Sequence, residues 1–246
     1  MSVPRFYLPP DRWIEPTLRL EGDEARHCAQ VLRKAPGDEV IVFNGQGVWV
    51  RAMIGAITSR EVTLQEITRG VTPPPDTAIT LFQSVPKGAN MELIIEKAVE
   101  LGVNRIVPVL SERTVVQLSG KDAAKKQEKW QRIALEACKQ CGQNWLPEVV
   151  TPASWAKAWE LLPEHDLRLV AALEPDAQSF KAALAGHQGL KQSILMVIGP
   201  EGDLTEQEYR EARARRCVPV TLGPIILRVE TAAMYCLSVL RHELQP

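Results

Sequence analysis

Ser193-Ile194-Leu195-Met196-Val197-Ile198-Gly199-Pro200-Glu201-Gly202-Asp203 is an apolar run of strand length that empties into a turn of two glycines and a proline. A strand buried on both faces reads as near-continuous apolar sequence, which places 193–198 inside a parallel sheet. Thr205 and Glu208 stand at capping-box spacing, so a helix is predicted from 206 to 215, leaving 199–203 as a true loop. Downstream, 218–222 is a second apolar strand. It runs into Gly223-Pro224-Ile225-Ile226-Leu227-Arg228-Val229-Glu230, and a last helix is predicted over 231–243. Upstream, 167–173 ends at Leu173-Glu174-Pro175, with a helix near 179–185. Earlier still, strands at 78–85 and 105–110 flank a helix over 90–101 with Met91, Ile94, Ile95, Ala98 and Leu101 on one side, and 125–137 is a further helical run. Strand and helix in alternation imply an α/β fold, a parallel sheet covered by helices on both faces.

This pattern begins after Arg69-Gly70-Val71-Thr72-Pro73-Pro74-Pro75-Asp76, a segment read as breaking strand and helix alike. A domain boundary is therefore set between 1–72 and 73–246. The first part carries short strands at 39–43, 48–57 and 62–67, with Asn44-Gly45-Gln46-Gly47 as a hairpin signal and one helical stretch at 24–34. A small β-barrel of accessory size is expected.

A net charge of −1 over 246 residues means that nucleic-acid binding, if present, depends on where cations cluster and not on their total. The longest apolar runs fall well short of the roughly 20 residues that span a bilayer. MSVPRFYLPPDRW has no apolar segment or cleavage signal of an exported chain, so a cytoplasmic enzyme without membrane attachment is expected. Five scattered cysteines suit a reducing compartment. Cys138 and Cys141 form a C-x-x-C pair inside a helical run without a second pair, which reads as two helix cysteines and not as half a metal site. The histidines, His27, His165, His187 and His242, show no ligand spacing, and no metal is expected.

Ligands of open parallel sheets sit beyond the carboxyl ends of the strands, where the turns at 173–175, 199–203 and 222–230 converge. Neither G-x-x-x-x-G-K-[ST] nor a G-x-G-x-x-G after the first strand of this half occurs, which disfavours a P-loop enzyme and an NAD-binding Rossmann enzyme. Ile198-Gly199-Pro200-Glu201-Gly202 together with Leu222-Gly223-Pro224-Ile225-Ile226-Leu227-Arg228-Val229-Glu230-Thr231-Ala232 resembles the paired motifs of the SPOUT methyltransferases. Within that class the chain resembles the RsmE family, the 16S ribosomal RNA uridine N3-methyltransferases. The likeness extends to Pro4-Arg5-Phe6-Tyr7, His27 with Val31-Leu32-Arg33, Gly37-Asp38, Lys97, Glu100 to Val103, Ser111-Glu112-Arg113, Lys129-Trp130 and Glu136-Ala137-Cys138. Two positions depart from the family pattern: Asp203 stands where a second glycine is usual, and Gln143 where an arginine is.

The resemblance implies a SPOUT-type trefoil-knot methyltransferase domain preceded by a PUA-like β-barrel, acting as a homodimer on 16S ribosomal RNA of the small subunit. It implies S-adenosylmethionine held by Leu173, Glu174, Ile198, Gly199, Pro200, Glu201, Gly202, Leu222, Gly223, Ile226, Leu227 and Arg228. Methylation at N3 of uridine removes the imide proton, so a cation that steadies a transient negative base is needed; Arg228 is the first candidate. Glu201 and Glu230 are the nearest carboxylates, and the general base stays open between them and other groups. Candidate RNA contacts are Arg5, Arg26, Arg33 and Lys34 in the barrel, then Lys87, Arg113 and Lys139. The competing readings are a methyltransferase acting on another RNA such as tRNA, and a catalytically inactive RNA-binding homologue.

Overall fold

The computed structural model describes residues 3–13, 17–185 and 193–244, and the chain divides into two compact units. His187 lies outside the described residues. The first unit is Met1–Pro74 with Cys138–Leu146, and the second is Pro75–Ala137 with Pro147–Pro246.

In the first unit, β1 (Arg5–Tyr7), β2 (Leu18–Glu21), β3 (Glu39–Phe43), β4 (Val48–Ile57) and β5 (Glu61–Val71) form one sheet in the order β1-β3-β4-β5-β2. Alternation places Val40, Val42, Val50, Ala52, Ile54, Val62 and Leu64 on the buried face with Phe6, Leu18 and Leu20. Helix α1 (Gly22–Arg26) continues into a π-helical turn at His27–Val31. Strand β5 runs on to Val71, beyond the expected end at 67 and into the stretch read as a breaker. Its exposed second half pairs with the start of β4, Trp49 opposite Gly70 and Val48 opposite Val71. Sequence patterning misses this because neither face of that half is buried.

Segment 142–146 joins this unit through polar bonds. Asn144 Nδ2 donates to Thr72 Oγ1 at 2.8 Å, and Trp145 Nε1 donates to the Thr72 and Pro73 carbonyls at 3.0 Å each. Gly47 sits beneath them at φ 91°, where a Cβ would lie 2.6 Å from Thr72 O and 2.8 Å from the Trp145 ring. Neither neighbour can withdraw without breaking these bonds. Gly47→Val should therefore destabilise the unit by about 3 kcal/mol, combining a left-handed backbone with overpacking. Urea unfolding followed by tryptophan fluorescence measures this, and an unchanged midpoint would show that the turn reorganises freely.

The second unit contains β6 (Ala78–Ser84), α2 (Asn90–Glu100), β7 (Arg105–Leu110), α3 (Gly120–Cys141, shared with the first unit), β8 (Glu148–Val149), β9 (Ala153–Ser154) and α4 (Trp155–Glu160). It continues with β10 (Leu167–Ala171), β11 (Gln178–Ser179), α5 (Phe180–Ala185), β12 (Ser193–Ile198), α6 (Glu206–Ala214), β13 (Val218–Thr221) and α7 (Val229–Glu243). The sheet order is β11-β13-β10-β12-β6-β7-β8, with β9 also on β7, and every pairing is parallel. Phe82, Val107, Val170, Leu195 and Val197 meet Trp155 and Trp159 of α4 and Tyr209 of α6 on one face. The alternate residues Ile194, Met196 and Ile198 are buried too, and α7 packs on β12 and on α2. Helix α4 and the two-residue strands β8, β9 and β11 carry too few residues for their periodicity to be read. The thiols Cys28, Cys138, Cys217 and Cys236 are buried and Cys141 is exposed; all five are free.

Candidate functional site

A cavity of about 450 Å³ opens at the carboxyl ends of β10, β12 and β13. That volume is within the roughly 300–1,000 Å³ of small-molecule sites. Three turns close on it: Ala171 to Leu173 after β10, Ile198 to Asp203 after β12, and Leu222 to Arg228 after β13, with Val229, Glu230 and Ala232 of α7. Asn90, the first residue of α2, completes the wall.

Side-chain bonds hold the turns after β10 and β12 and tie the first turn of α7 to the start of α2. Arg113 Nη1 donates to Gly202 O at 2.8 Å, so this side chain braces the 199–203 turn from behind. Lys87 N donates to Glu201 Oε1 at 2.8 Å, and Asn90 Nδ2 to Glu230 Oε2 at 3.2 Å, which ties the segment after β6 to both carboxylates. The capping box expected from Thr205 and Glu208 is present, and buried Glu208 also accepts from Glu112 N at 2.9 Å. Arg213 of α6 reaches Glu174 at 3.3 Å and Asp176 at 2.7 Å, holding the turn after β10.

Glu174 and Gly202 therefore lie beside the cavity and do not line it: the carboxylate of Glu174 is drawn to Arg213, and Gly202 backs onto Arg113. Leu173, Ile198, Gly199, Pro200, Glu201, Leu222, Gly223, Ile226, Leu227 and Arg228 are brought together in its wall. Sequence reasoning passed over Asn90 and Asp203. Asn90 was visible as the helix start in the first loop of this half, set aside because that loop lacks a nucleotide signature. The wall carries three carboxylates, Glu201, Asp203 and Glu230, and, among the described residues, one cationic side chain, Arg228. Arg228 is the exposed N-cap of α7, and its guanidinium has no hydrogen bond or ion pair with a described residue.

The two departures from the family pattern have local accounts. Asp203 has φ 63°, a left-handed conformation that glycine adopts freely and that aspartate tolerates better than most residues. Gln143 Oε1 accepts from Asn144 N at 3.1 Å and Trp145 N at 3.4 Å, serving the first unit's own loop.

The candidate RNA residues separate into two groups. Arg5 is turned inward: its guanidinium donates to Asn144 Oδ1 at 2.6 Å and stacks over Phe43 at 4.9 Å, and burial lowers its pKa. Lys139 is likewise paired with Glu24 in a largely buried ion pair. Arg26, Arg33 and Lys87 are exposed and Lys34 is half-buried; Arg26 pairs with Asp23, and Lys34 stands 3.9 Å from Asp38. No group of three His, Cys, Asp or Glu among the described residues could hold a metal ion, and no described helix is long and apolar enough to cross a membrane.

Comparison with known proteins bears on both units. A family model described as an RNA methyltransferase domain matches residues 73–241, and one described as an RNA methyltransferase PUA domain matches 20–67. The chain is 33% identical over 233 residues to the ribosomal RNA small subunit methyltransferase E of Bacillus subtilis, covering 93% of this chain and 91% of that protein. A ribosomal RNA small subunit methyltransferase E from Neisseria gonorrhoeae bound to S-adenosyl methionine superposes with a TM-score of 0.86 at 31% identity, covering 98% of each chain. A putative methyltransferase from Legionella pneumophila in complex with the cofactor SAM gives a TM-score of 0.88 at 29% identity, covering 99% of this chain and 98% of that one.

Proposed function

Because the chain belongs to the ribosomal RNA small subunit methyltransferase E family of RNA methyltransferases, we propose that it transfers a methyl group from S-adenosylmethionine to N3 of a specific uridine in 16S ribosomal RNA. The cavity carries this reading: two of its three turns, those after β12 and β13, are the segments that hold the paired family motifs. Its chemistry suits the cofactor. S-adenosylmethionine, when bound, supplies an electrophilic methyl on a positively charged sulfonium, and Glu201, Asp203 and Glu230 make the wall favourable to positive charge. Leu222, Ile226 and Leu227 provide apolar surface for a planar base, and the polypeptide backbone around Gly199 and Gly223 can approach it closely.

Arg228 has the remaining chemical task. N3 of uridine is nucleophilic only after its proton is lost, and the resulting charge spreads over the flanking carbonyl oxygens. A guanidinium at the cavity mouth, without a polar partner among the described residues, can stabilise that charge as it develops. Glu201 and Glu230 orient their surroundings through Lys87 N and Asn90, and either could receive the proton.

The PUA-like unit is the RNA-recognition module of this proposal, with the exposed Arg26 and Arg33 and the half-buried Lys34 as its cations and Lys87 as one from the catalytic unit. Arg5 and Lys139 act on RNA only indirectly, by holding the loops they bond, and Arg113 by bracing the cofactor turn. The active form is a cytoplasmic homodimer with the carboxyl-terminal turns threaded as a trefoil knot. Leu173, Ile225 and Ile226 at the cavity are 62%, 73% and 78% exposed, apolar surface that a second copy would cover.

The test is direct. Purified protein, radiolabelled S-adenosylmethionine and small subunits from a strain lacking the gene should give labelled 3-methyluridine in 16S RNA, identified by nucleoside mass spectrometry. Label in tRNA alone would favour the competing substrate, and cofactor binding with no transfer to any RNA the inactive homologue.

A further inference from the structure

Asp203 sits in the cavity wall at a backbone conformation that favours glycine, and it is not idle there. Its Oδ1 accepts from the Tyr209 hydroxyl at 2.7 Å and from Leu204 N at 2.8 Å, while its own N–H donates to Pro200 O at 2.9 Å. Tyr209 is 1% exposed on α6, anchored in the core beside Phe82 and Val197. Burial, and then the neighbouring carboxylate, push its phenol pKa upward, so the hydroxyl stays protonated and donates. The same hydroxyl lies 3.5 Å from Ala171 O, the last residue of β10, where the second cofactor turn begins. One buried donor thus touches two of the three turns that form the cavity.

From this geometry we infer that Tyr209 is a positioning residue for the cofactor, acting through Asp203: their hydrogen bond fixes the turn after β12 against the turn after β10, and Asp203 performs by side-chain bonding what a glycine would leave to backbone freedom. The inference rests on the cavity being the S-adenosylmethionine site. Its mark is conditionality. Removing the hydroxyl in Tyr209→Phe leaves the Asp203 carboxylate half-buried with one donor fewer, and the turn shifts to resolvate it. If Asp203 is first replaced by glycine, the hydroxyl has no carboxylate to hold, and its removal changes little.

A double-mutant cycle read by calorimetry with S-adenosylmethionine tests this. Tyr209→Phe should weaken binding about tenfold in the wild-type background and less than about twofold in Asp203→Gly. In turnover assays the single variant should raise KM for the cofactor more than it lowers kcat. Equal weakening in both backgrounds would overturn the inference, because Tyr209 would then act by packing alone, as would no weakening in either. Should Tyr209→Phe prove unstable, Asp203→Asn, which keeps the phenol and an acceptor oxygen at a backbone conformation that asparagine also tolerates, should bind the cofactor more tightly than Asp203→Gly, which has no acceptor; equal binding by these two variants would overturn the inference. Absence of cofactor binding by the wild-type protein would refute the cofactor reading itself, whereas tight wild-type binding with an additive cycle refutes only the role given to Tyr209.

Discussion

Arg228→Ala should slow methyl transfer by about tenfold or more while changing affinity for S-adenosylmethionine by less than about threefold. The asymmetry follows from what the side chain lacks. It has no hydrogen bond or ion pair to a described residue, so removing it breaks no polar bond among the described residues. Its backbone carbonyl still accepts from Ala232 N at 2.8 Å, so α7 keeps its first turn. A group that stabilises charge only as the imide ionises contributes to the rate and not to ground-state binding. Single-turnover transfer to assembled small subunits at saturating cofactor measures the first quantity, and calorimetry the second. Lys at the same position should recover part of the rate, because charge survives while the planar fork does not. An unaltered single-turnover rate would reduce Arg228 to an ordinary solvent-facing cap.

The second large effect is expected at Gly223. It has φ 110°, a conformation that L side chains rarely adopt, although a Cβ there would meet no atom within 4 Å. The obstacle is therefore torsional and not steric. A β-branched residue must rotate the backbone to a negative φ, carrying Leu222 and Ile225 to Leu227 away from the cavity. Gly223→Val should weaken cofactor binding about 10- to 100-fold. Because the turn follows the end of β13 on the protein surface, far-ultraviolet circular dichroism should stay close to wild type. Gly223→Ala should fall between the two. Unchanged affinity for the valine variant would mean that this turn does not meet the cofactor.

Much of this site was legible in the sequence because its chemistry lies in turns with strong local signatures. Thr205 and Glu208 announce the start of α6, and the prolines and glycines at 199–202 and 223–224 mark two walls in the sequence itself. The strands at 39–43, 48–57, 105–110 and 193–198 were read to the residue, since each is bounded by turn chemistry or buried on both faces. What was not legible at the site depends on partners distant in the chain. Glu174 was assigned to the cofactor because it follows a strand end, and only the three-dimensional position of Arg213, on a later helix, shows that it is held elsewhere. Arg5 and Lys139 carry charges that look available to RNA, yet Asn144 and Glu24 claim them across more than a hundred residues of chain. Strands β1 and β2 were missed for their brevity, and the extension of β5 for its exposed faces. Asp203 shows the opposite case: its departure from glycine was visible at once, but its meaning required Tyr209.

The strand order has a cost that falls on synthesis. Strand β6 is hydrogen-bonded on one edge to β7, which follows it closely in the chain, and on the other to β12. Ribosomes add about 5–20 residues each second, so roughly a hundred residues, or about 5–20 s of translation, separate the emergence of β6 from that of the strand that closes its open edge. Throughout that interval Ile79, Leu81 and Phe82, all buried in the finished protein, belong to a strand with an unsatisfied edge. The nascent chain should accordingly be most dependent on chaperones, and most prone to co-translational aggregation, between the appearance of β7 and that of β12. Ribosome-bound chains stalled within that window should bind a hydrophobic dye or a holdase strongly, and those stalled beyond α7 should not.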